Sequence, residues 1–379
     1  MSSNKKKKSK IRASFRKNRT QRTRDSDWTR RFAEQGEQLE DVPRQERISG
    51  KGELTRKRTI VGAQSDLEET GLAVQRDVDP SQCLAGRVLK VQGLHSTVMA
   101  DDGGQYRCAT RRLLKTLATE QRHVVAAGDQ VLFRPMPGGE GLIERVEPRR
   151  GVLSRTSRGR QHIIVANVDQ LLIIGSAGQP ALKPHLIDRL LVTAEKIKVP
   201  PVICINKIDL VDPATLQPLV GVYSQLGYQV LLLSAETGFG IHRLRRVLRG
   251  RESVLAGQSG VGKSSLLNAV EEGLSLRVRT VSAETEKGRH TTTTAELIPL
   301  SFGGFVVDTP GIRQFQLWDL IPEEIAGLFR DLRPYVSLCK FPDCTHRHED
   351  DCAVKDAVAD GRLDLRRYES YCHMVEEEM

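Results

Sequence analysis

Residues Gly257-Gln258-Ser259-Gly260-Val261-Gly262-Lys263-Ser264 decide the fold of this 379-residue chain. They follow the apolar run Ser253–Ala256 and precede a helical pattern that starts at Ser265, which is the context in which a phosphate-binding loop occurs. The glycines let successive backbone N–H groups point at phosphate oxygens, and the helix N-terminus adds its positive end. We therefore expect this stretch, with Ser265, to bind a nucleoside triphosphate. Lys263 is predicted to contact the β- and γ-phosphates and to act in catalysis, and Ser264 to bind Mg²⁺.

Two further motifs predict that the base is guanine. The first follows the apolar run Val202–Ile205 and reads Asn206-Lys207-Ile208-Asp209. Asp209 can accept hydrogen bonds from the guanine N1–H and exocyclic amine, and adenine offers no matching pair. Asn206 is expected to brace the loop, and Lys207 to lie along the ring face. The other, which is the third motif of the site, reads Ser234-Ala235-Glu236 and follows the next apolar run. We expect its Ala235 amide to meet guanine O6.

A fourth motif follows the strand pattern Phe305–Val307 and reads Asp308-Thr309-Pro310-Gly311. We expect Asp308 to hold Mg²⁺ through water and the Gly311 amide to sense the γ-phosphate. In a Ras-like GTPase the phosphate loop leads and the base-reading motif trails, whereas here the base-reading motifs come first. The order predicts a circularly permuted GTPase built as a doubly wound P-loop α/β domain.

The residue that would orient the attacking water is not obvious. Ile312 follows Gly311 at the position where Ras-like enzymes carry a glutamine, and an aliphatic side chain cannot orient water. Either a partner completes the site or another residue acts, and His290 is our candidate because a neutral imidazole can accept a proton from water near neutral pH. One of the threonines in Thr291–Thr294 is expected to bind Mg²⁺, although the sequence does not select which one.

The pattern of the rest of the sequence predicts a multidomain protein. Residues 1–80 read as a basic disordered tail and a polar linker, residues 81–153 as a small β-barrel, residues 160–320 as the permuted GTPase domain, and residues 321–379 as a helical zinc-binding domain. The barrel segment contains five short β-rich pieces separated by turns, for which an OB-fold is the simplest arrangement. Periodicity alone also allows an SH3-like barrel.

The charge is concentrated at one end of the chain. The net charge is +10, and residues 1–24 contain eleven lysines and arginines and no acidic residue, so that the rest of the chain sums to −1. Such a block cannot bury a core. We expect an arm that binds nucleic acid by releasing counterions from phosphates, and a solubilising tail is the alternative.

A cluster of metal-binding residue types lies near the C-terminus, at Cys339, Cys344, His346 and Cys352. Three thiolates and an imidazole form the closed tetrahedral set of a structural zinc site. His348 is a rival for His346, and Cys372 is a weaker outside candidate. Cysteines clustered with a histidine favour a metal over disulfides, which indicates a reducing cytoplasm. The chain has no apolar run long enough to cross a bilayer, so we expect no membrane contact.

Taken together, these residues resemble the RsgA family of small ribosomal subunit biogenesis GTPases, also called the YjeQ or EngC family. The resemblance covers residues 84–375 and rests on the barrel, the motif order, the Gly288-Arg289-His290-Thr291-Thr292-Thr293 switch and the Cys/Cys/His/Cys spacing. It implies an OB-fold, a permuted GTPase domain and a zinc-binding domain. It also implies a cytoplasmic bacterial enzyme that binds the 30S subunit late in maturation and is stimulated by it. His290 matches the histidine that the family proposes for catalysis.

The expected function is hydrolysis of GTP to GDP and phosphate as a timing switch on ribosomal RNA. The expected partners are the 30S subunit with its rRNA and GTP or GDP. The expected cofactors are one structural Zn²⁺ and a Mg²⁺ that binds with GTP. The protein is expected to be a monomer. Few aromatic residues, 4% of the chain, favour recognition of the RNA backbone over base stacking. The alternative is a non-hydrolysing RNA-binding assembly adaptor that the nucleotide merely stabilises. The missing glutamine favours the adaptor, whereas His290 and the set Lys263, Ser264 and Asp308 disfavour it.

Overall fold

The computed structural model describes residues 9–14, 57–64, 74–76, 78, 80–111, 114, 124–157, 160–271, 274, 295–308 and 320–378, with only the backbone described at 9–14, 57–64, 74–76, 80, 155–157, 160–162, 308 and 378. The chain divides into two compact units. One consists of Met1–Asn167 with Thr294–Leu297, and the other of Val168–Thr293 with Ile298–Met379. The predicted division into four domains remains a prediction.

The first unit begins with three short strands, β1 (Ser9–Ser14), β2 (Lys57–Gln64) and β3 (Val74–Arg76). They form an antiparallel sheet in the order β1-β2-β3. The β-branched run Thr59-Ile60-Val61 in β2 suits an extended backbone. These strands lie in the segment predicted to be a basic disordered tail and a polar linker, so the structure differs from that expectation at these strands.

The next five strands close into a barrel. They are β4 (Leu84–Gln92), β5 (His95–Ala100), β6 (Gln105–Thr110), β7 (Gln130–Met136) and β8 (Glu140–Val146). Their order is β4-β5-β6-β8-β7, and β4 also pairs with β7, which closes the barrel. All pairs are antiparallel except β6 with β8, which is parallel. This closed five-stranded arrangement confirms the OB-like barrel expected from the sequence.

The barrel encloses an apolar core, and the same unit contains a buried ion pair. The interior side chains include Val88, Val98, Phe133 and Ile143. Arg149 donates to Asp129 through two nitrogens, Nε to Oδ1 at 2.7 Å and Nη2 to Oδ2 at 2.8 Å, and both side chains are buried. The unit continues with the hairpin of β9 (Leu153–Ser157) and β10 (Arg160–Val165).

The second unit is built on a parallel sheet. Its strands are β11 (Gln170–Ser176), β12 (Pro201–Asn206), β13 (Gln229–Leu232), β14 (Glu252–Ala256) and β16 (Phe305–Asp308). The short β15 (Glu296–Pro299) precedes β16 in the chain and contains the boundary between the two units. The spatial order is β13-β12-β11-β14-β16, and every neighbouring pair is parallel. The carboxyl ends of these strands share one edge, where ligands bind in open α/β sheets.

The described helices of the second unit are α1 (Pro184–Lys196), α2 (Gln217–Gln225), α3 (Ile241–Leu248), α4 (Lys263–Val270), α5 (Pro322–Leu328), α6 (Arg333–Val336), α7 (Ala353–Ala359) and α8 (Leu365–Glu378). One sheet face, including Leu172, Ile174 and Cys204, packs against α3 and α4. Because side chains alternate along a strand, α1, which contacts β11 and β12, packs on the other face. Val192 of α1 joins the core of the C-terminal helices.

A buried arginine ties the C-terminal helices to α1. Arg367 of α8 is 2% exposed and donates to Asp331 at 2.9 Å and 3.0 Å and to Asp188 of α1. Tyr223 donates a second hydrogen bond to Asp188 at 2.8 Å, and the Arg367 guanidinium lies 4.5 Å from the centre of the Phe329 ring. Burial raises the pKa of Asp188, and the positive charge of Arg367 opposes that rise. The C-terminal helices are therefore attached to the sheet by a charge network as well as by apolar packing.

Candidate functional site

The phosphate loop lies between β14 and α4, as the sequence predicted for residues 257–264. Gly257 has φ +147° and Gly262 has φ +92°, a region that side-chain-bearing residues rarely adopt. A Cβ at Gly257 would collide with the Ile174 carbonyl, and one at Gly262 with the amide of Asn206. Helix α4 then begins at Lys263, so its free N–H groups point into the loop. The local sequence thus produces the concave backbone that a phosphate needs.

Lys263 lies folded over this loop. Its Nζ donates to the carbonyl oxygens of Gly257 at 2.7 Å and Gln258 at 2.8 Å. The ammonium is therefore held above the ring of backbone N–H groups, where it would exchange a carbonyl for a phosphate oxygen. Ser264 and Ser265 follow in the first turn of α4, and both are half-buried. These positions suit a hydroxyl that shares a cation with the phosphates.

Asn206 joins the two halves of the site. The side chain is 1% exposed at the end of β12. Its Nδ2 donates to the Val261 carbonyl at 2.9 Å, and its Oδ1 accepts from the Ala235 amide at 3.2 Å. One side chain thereby links the phosphate loop to the loop that follows β13. The Ala235 amide, which was predicted to donate to guanine O6, donates to Asn206 Oδ1 in this structure. A hydrogen bond to O6 would therefore share this N–H with Asn206.

Lys207 makes a second link between the loops. Its backbone is left-handed, with φ +63°, and its Nζ donates to the carbonyl oxygens of Gly260 at 2.7 Å and Gln179 at 2.5 Å. The aliphatic stem is therefore stretched along the surface between the two motifs, where a base could lie on it. Ile208 is buried, and its amide donates to Leu233 at 3.2 Å, which holds the motif onto the sheet.

Asp209 presents its carboxylate to solvent at the same edge. The residue is exposed, and its Oδ1 accepts from the hydroxyl of Ser234 at 2.5 Å. Ser234 is buried, and its oxygen in turn accepts from the Thr237 amide at 3.1 Å. The carboxylate is thus oriented by the third motif, whereas Glu236 of that motif points to solvent. The geometry presents a fixed acceptor of the kind that guanine recognition requires.

Part of the predicted site lies outside the described residues. His290, the threonines at 291–294, Gly311 and Ile312 belong to that part, and Asp308 is described only as the last backbone position of β16. The roles assigned to them stay predictions. The structure also adds one contact that sequence reasoning missed, the Gln179 carbonyl that accepts from Lys207. A backbone oxygen in a loop carries no signal in the sequence.

Beside the phosphate loop the structure has a mostly apolar cavity of about 390 Å³. It lies between β11, α1 and the loop, and its lining includes Ile173, Leu182, Leu186, Leu190, Gly257 and Val261. The lining also includes Lys183 and Arg189, and the cavity shares Gly257, Gln258 and Val261 with the phosphate loop.

The four predicted metal ligands come together in the segment between α6 and α7. The ligand atoms of Cys339, Cys344, His346 and Cys352 all lie within 4.8 Å of one another. Cys339 Sγ is 3.8 Å from Cys352 Sγ, which is close to the ~3.8 Å edge of a tetrahedron with zinc–sulfur bonds of about 2.3 Å. His346 Nδ1 lies 3.3 Å and 3.5 Å from these two sulfurs. This donor set fits a tetrahedral metal ion, and His348 and Cys372 are not part of it.

The protonation chemistry of the cluster matches metal binding. Burial lowers the pKa of His346, which favours the neutral imidazole that ligates metals. Burial raises the pKa of the Cys344 thiol to about 12 and that of Cys352 above its usual range. Thiolates packed together are unfavourable unless a cation neutralises them, as a bound metal does. Tyr368 donates to the His346 carbonyl at 2.7 Å and fixes the ligand loop on α8.

The fold and the order of its motifs define a circularly permuted P-loop GTPase. A family model described as RsgA GTPase matches residues 146–318. A small ribosomal subunit biogenesis GTPase RsgA from Sodalis glossinidius (strain morsitans) is 42% identical over 310 residues, which cover 80% of this chain and 88% of that protein. One from Pectobacterium carotovorum subsp. carotovorum (strain PC1) is 39% identical over 333 residues, covering 84% and 92%.

Solved structures agree with this assignment. YjeQ from Thermotoga maritima is 37% identical with a TM-score of 0.65, and the similarity covers 78% of this chain and 98% of that one. YloQ, described as a circularly permuted GTPase, is 30% identical with a TM-score of 0.62, covering 80% and 97%. The chain belongs to the RsgA family. The resemblance and the fold class predicted from the sequence are thereby confirmed.

Proposed function

We propose that this GTPase binds GTP at the edge formed by residues 206–209, 234–235 and 257–265 and hydrolyses it to GDP and phosphate during biogenesis of the small ribosomal subunit. The observation that carries the proposal is Asn206, which bonds to the phosphate loop through Val261 and to the third motif through Ala235. A base bound beside Asp209 is thereby held at a fixed distance from its own phosphates. The names of the relatives supply the ribosomal context.

Each residue of the site has a proposed role. Lys263 neutralises charge on the β- and γ-phosphates, and Ser264 binds Mg²⁺ together with a water held by Asp308. Asp209 selects guanine, Lys207 lies along its face, and the Gly311 amide reports the γ-phosphate. A Mg²⁺ ion held by these residues would supply further neutralisation of the phosphate charge.

His290 is proposed to orient the attacking water. The motivation is Ile312, whose aliphatic side chain cannot do so. His290→Ala should lower the hydrolysis rate by roughly 10²-fold, within the range of a lost general base, and leave GTP affinity unchanged. His348→Ala serves as a matched control, because His348 is an exposed histidine outside the group of four metal ligands. Equal turnover in the two variants would remove His290 from the mechanism.

We also propose the finer partners and compartment. The metal of the cluster is one structural Zn²⁺, the rRNA of the 30S subunit is the surface on which the enzyme acts, and the protein works as a cytoplasmic monomer. Among the described residues, the structure contains no helix with the length and apolarity needed to span a bilayer. Residues 1–80 would supply the basic tail and linker, residues 81–153 the barrel, residues 160–320 the GTPase domain, and residues 321–379 the zinc-binding domain.

The deciding experiment is a phosphate-release assay with purified enzyme, with and without 30S subunits. We expect slow release from the enzyme alone and faster release when subunits are added. Release that subunits do not change would contradict the ribosomal role. No release in either condition, together with tight GTP binding, would favour the non-hydrolysing assembly adaptor.

The basic tail is proposed to be a nucleic-acid arm. Deleting residues 1–24 removes eleven cations and no carboxylate, so RNA binding should become weaker and less dependent on salt. An unchanged slope of log affinity against log salt concentration would reduce the segment to a solubilising tail.

A further inference from the structure

The outer face of helix α3 has a charge pattern that GTP binding does not explain. Between Ile241 and Arg251 the chain carries five arginines and one histidine and no carboxylate. The net charge of the chain beyond residue 24 is −1, so the positive charge of this short stretch departs strongly from its surroundings. We name the solvent-facing set the arginine face, and its members are His242, Arg243, Arg245, Arg246 and Arg249.

The arginine face is solvent-exposed because the other side of α3 is used for packing. Leu244 is 2% exposed, Leu248 is fully buried, and both belong to the core that also contains β11 and α4. All five members of the arginine face are exposed. They repeat at the three- and four-residue spacing of one helix face, which places cations within interaction distance of each other.

The cations of this face are not neutralised within the described part of the protein. There, none of its five members forms an ion pair with a carboxylate. Arg245 lies over the Phe302 ring at 4.7 Å, and Arg249 donates to the Phe302 carbonyl at 3.4 Å. Those contacts orient two guanidinium groups without cancelling their charge. Neighbouring like charges disfavour the helix, so an anionic partner would stabilise this face.

An aromatic ring stands at the start of the same helix. Phe239 is 56% exposed and directly precedes Gly240, the residue that caps α3. Its carbonyl accepts from the Ser234 amide at 3.0 Å, which fixes the loop that carries the ring. An exposed ring next to a row of arginines is a combination that binds unpaired bases and the phosphates beside them.

We propose that the arginine face, with Phe239, is a docking surface for RNA, in which guanidinium groups contact backbone phosphates and the ring stacks on an unpaired base. The choice of RNA rests on the proposed function in ribosome biogenesis. A lipid surface fits less well, because an interfacial helix inserts its apolar side, and the leucines of α3 are committed to the core. Because the loop between β13 and α3 carries both the guanine motif and Phe239, RNA on this surface would lie next to the nucleotide site.

The test uses the full-length protein and a short labelled RNA hairpin with an unpaired loop. In Arg243→Gln/Arg246→Gln we expect weaker binding and a slope of log affinity against log salt that is shallower by roughly one to two. Lys198→Asn/Arg333→Gln is the matched control, because both residues are exposed cations outside α3 and asparagine suits the left-handed backbone at Lys198. Phe239→Ala should weaken hairpin binding by roughly 10-fold while leaving the salt slope unchanged.

The outcomes separate the surface from the proposed function. If the arginine pair and the control pair lose hairpin affinity equally, the docking surface is overturned. The same holds if the arginine pair loses affinity for anionic phospholipid vesicles and keeps its affinity for the hairpin. If the arginine pair binds RNA like the wild type while 30S subunits still accelerate hydrolysis, the surface is wrong and the ribosomal role stands. If subunits fail to accelerate the wild type, the proposed function fails. Unchanged GTP affinity and melting temperature establish that the variants are folded.

Discussion

The phosphate loop and the thiol–imidazole cluster both form an ion-binding site from a short segment, but they are held together differently. The loop is shaped by its backbone, and its parts are bonded to one another through Lys263, Asn206 and Lys207. The cluster is shaped by the side chains that would ligate the metal, and burial raises the pKa values of its Cys344 and Cys352 thiols. A bound ion would therefore be an addition to the loop, whereas a metal ion in the cluster would be part of its structure.

The two regions also differ in how they connect to the rest of their unit. The loop continues directly from a central strand into a helix, so the sheet positions it. The cluster lies in the loop between α6 and α7, and the C-terminal helices reach the sheet through α1, with Arg367 and its two aspartates at the junction. Loss of the metal or of this arginine should loosen the C-terminal helices and leave the loop in place.

Metal removal should produce the largest effect. Cys352→Ser deletes a buried ligand, and structural zinc contributes folding free energy on the order of 10 kcal/mol in small domains. We expect loss of bound metal and unfolding of the C-terminal helices, measured by elemental analysis and thermal unfolding, with GTP binding retained. Cys372→Ser, which alters a half-buried thiol outside the cluster, should keep both the metal and the transition. A metal-free protein with the wild-type transition would contradict the contrast between the two regions.

Arg367→Met should come next. It leaves Asp188 and Asp331 without their buried counter-ion, and breaking such a network costs about 3–5 kcal/mol. Chemical denaturation should record that loss. Arg366→Met is the control, because the neighbouring Arg366 pairs with Asp364 at the surface and should cost about 0–1 kcal/mol. Adding Asp188→Asn to Arg367→Met should recover part of the loss, and equal destabilisation by the two single variants would show that burial of the charge is not decisive.

Lys263→Ala tests the phosphate loop in isolation. Removing one positioned cationic donor should lower the rate of phosphate release by roughly 10²–10³-fold. Because the lysine bonds backbone oxygens of its own loop and lies far along the chain from the four metal-ligand residues, metal content and melting temperature should stay close to those of the wild type. A lost metal or a much lower melting temperature would mean that the two regions depend on each other.

The smallest change is expected from Asp209→Asn. The variant replaces the charged acceptor that Ser234 orients, and one hydrogen bond to a charged group contributes about 1.5–3 kcal/mol. We expect GTP affinity to fall roughly 10- to 100-fold and discrimination against ATP to narrow, measured by titration of both nucleotides. Unaltered selectivity would place guanine recognition elsewhere.

Sequence patterns predicted the parts of this protein that are local. The loop at 257–264, the left-to-right order of the motifs and the four metal ligands each occupy a few adjacent residues with a distinct composition. The strands β1 to β3 were not predicted, because their pairing joins residues far apart in a polar segment. The choice between the OB-fold and the SH3-like barrel could not be predicted either, because periodicity does not encode strand order. The parallel pairing of β6 with β8 decides it.

By itself, the sequence determined which chemistry the chain can perform and where the permuted cycle begins, because glycines, lysines and thiols act through properties that belong to each residue. Only the tertiary structure decided that Asn206 bonds both Val261 and Ala235, that Arg367 is buried between Asp188 and Asp331, and that α3 turns its leucines inward and its arginines outward. Those contacts join positions distant in the chain. Their energies depend on burial and distance, which exist only once the sheet has formed.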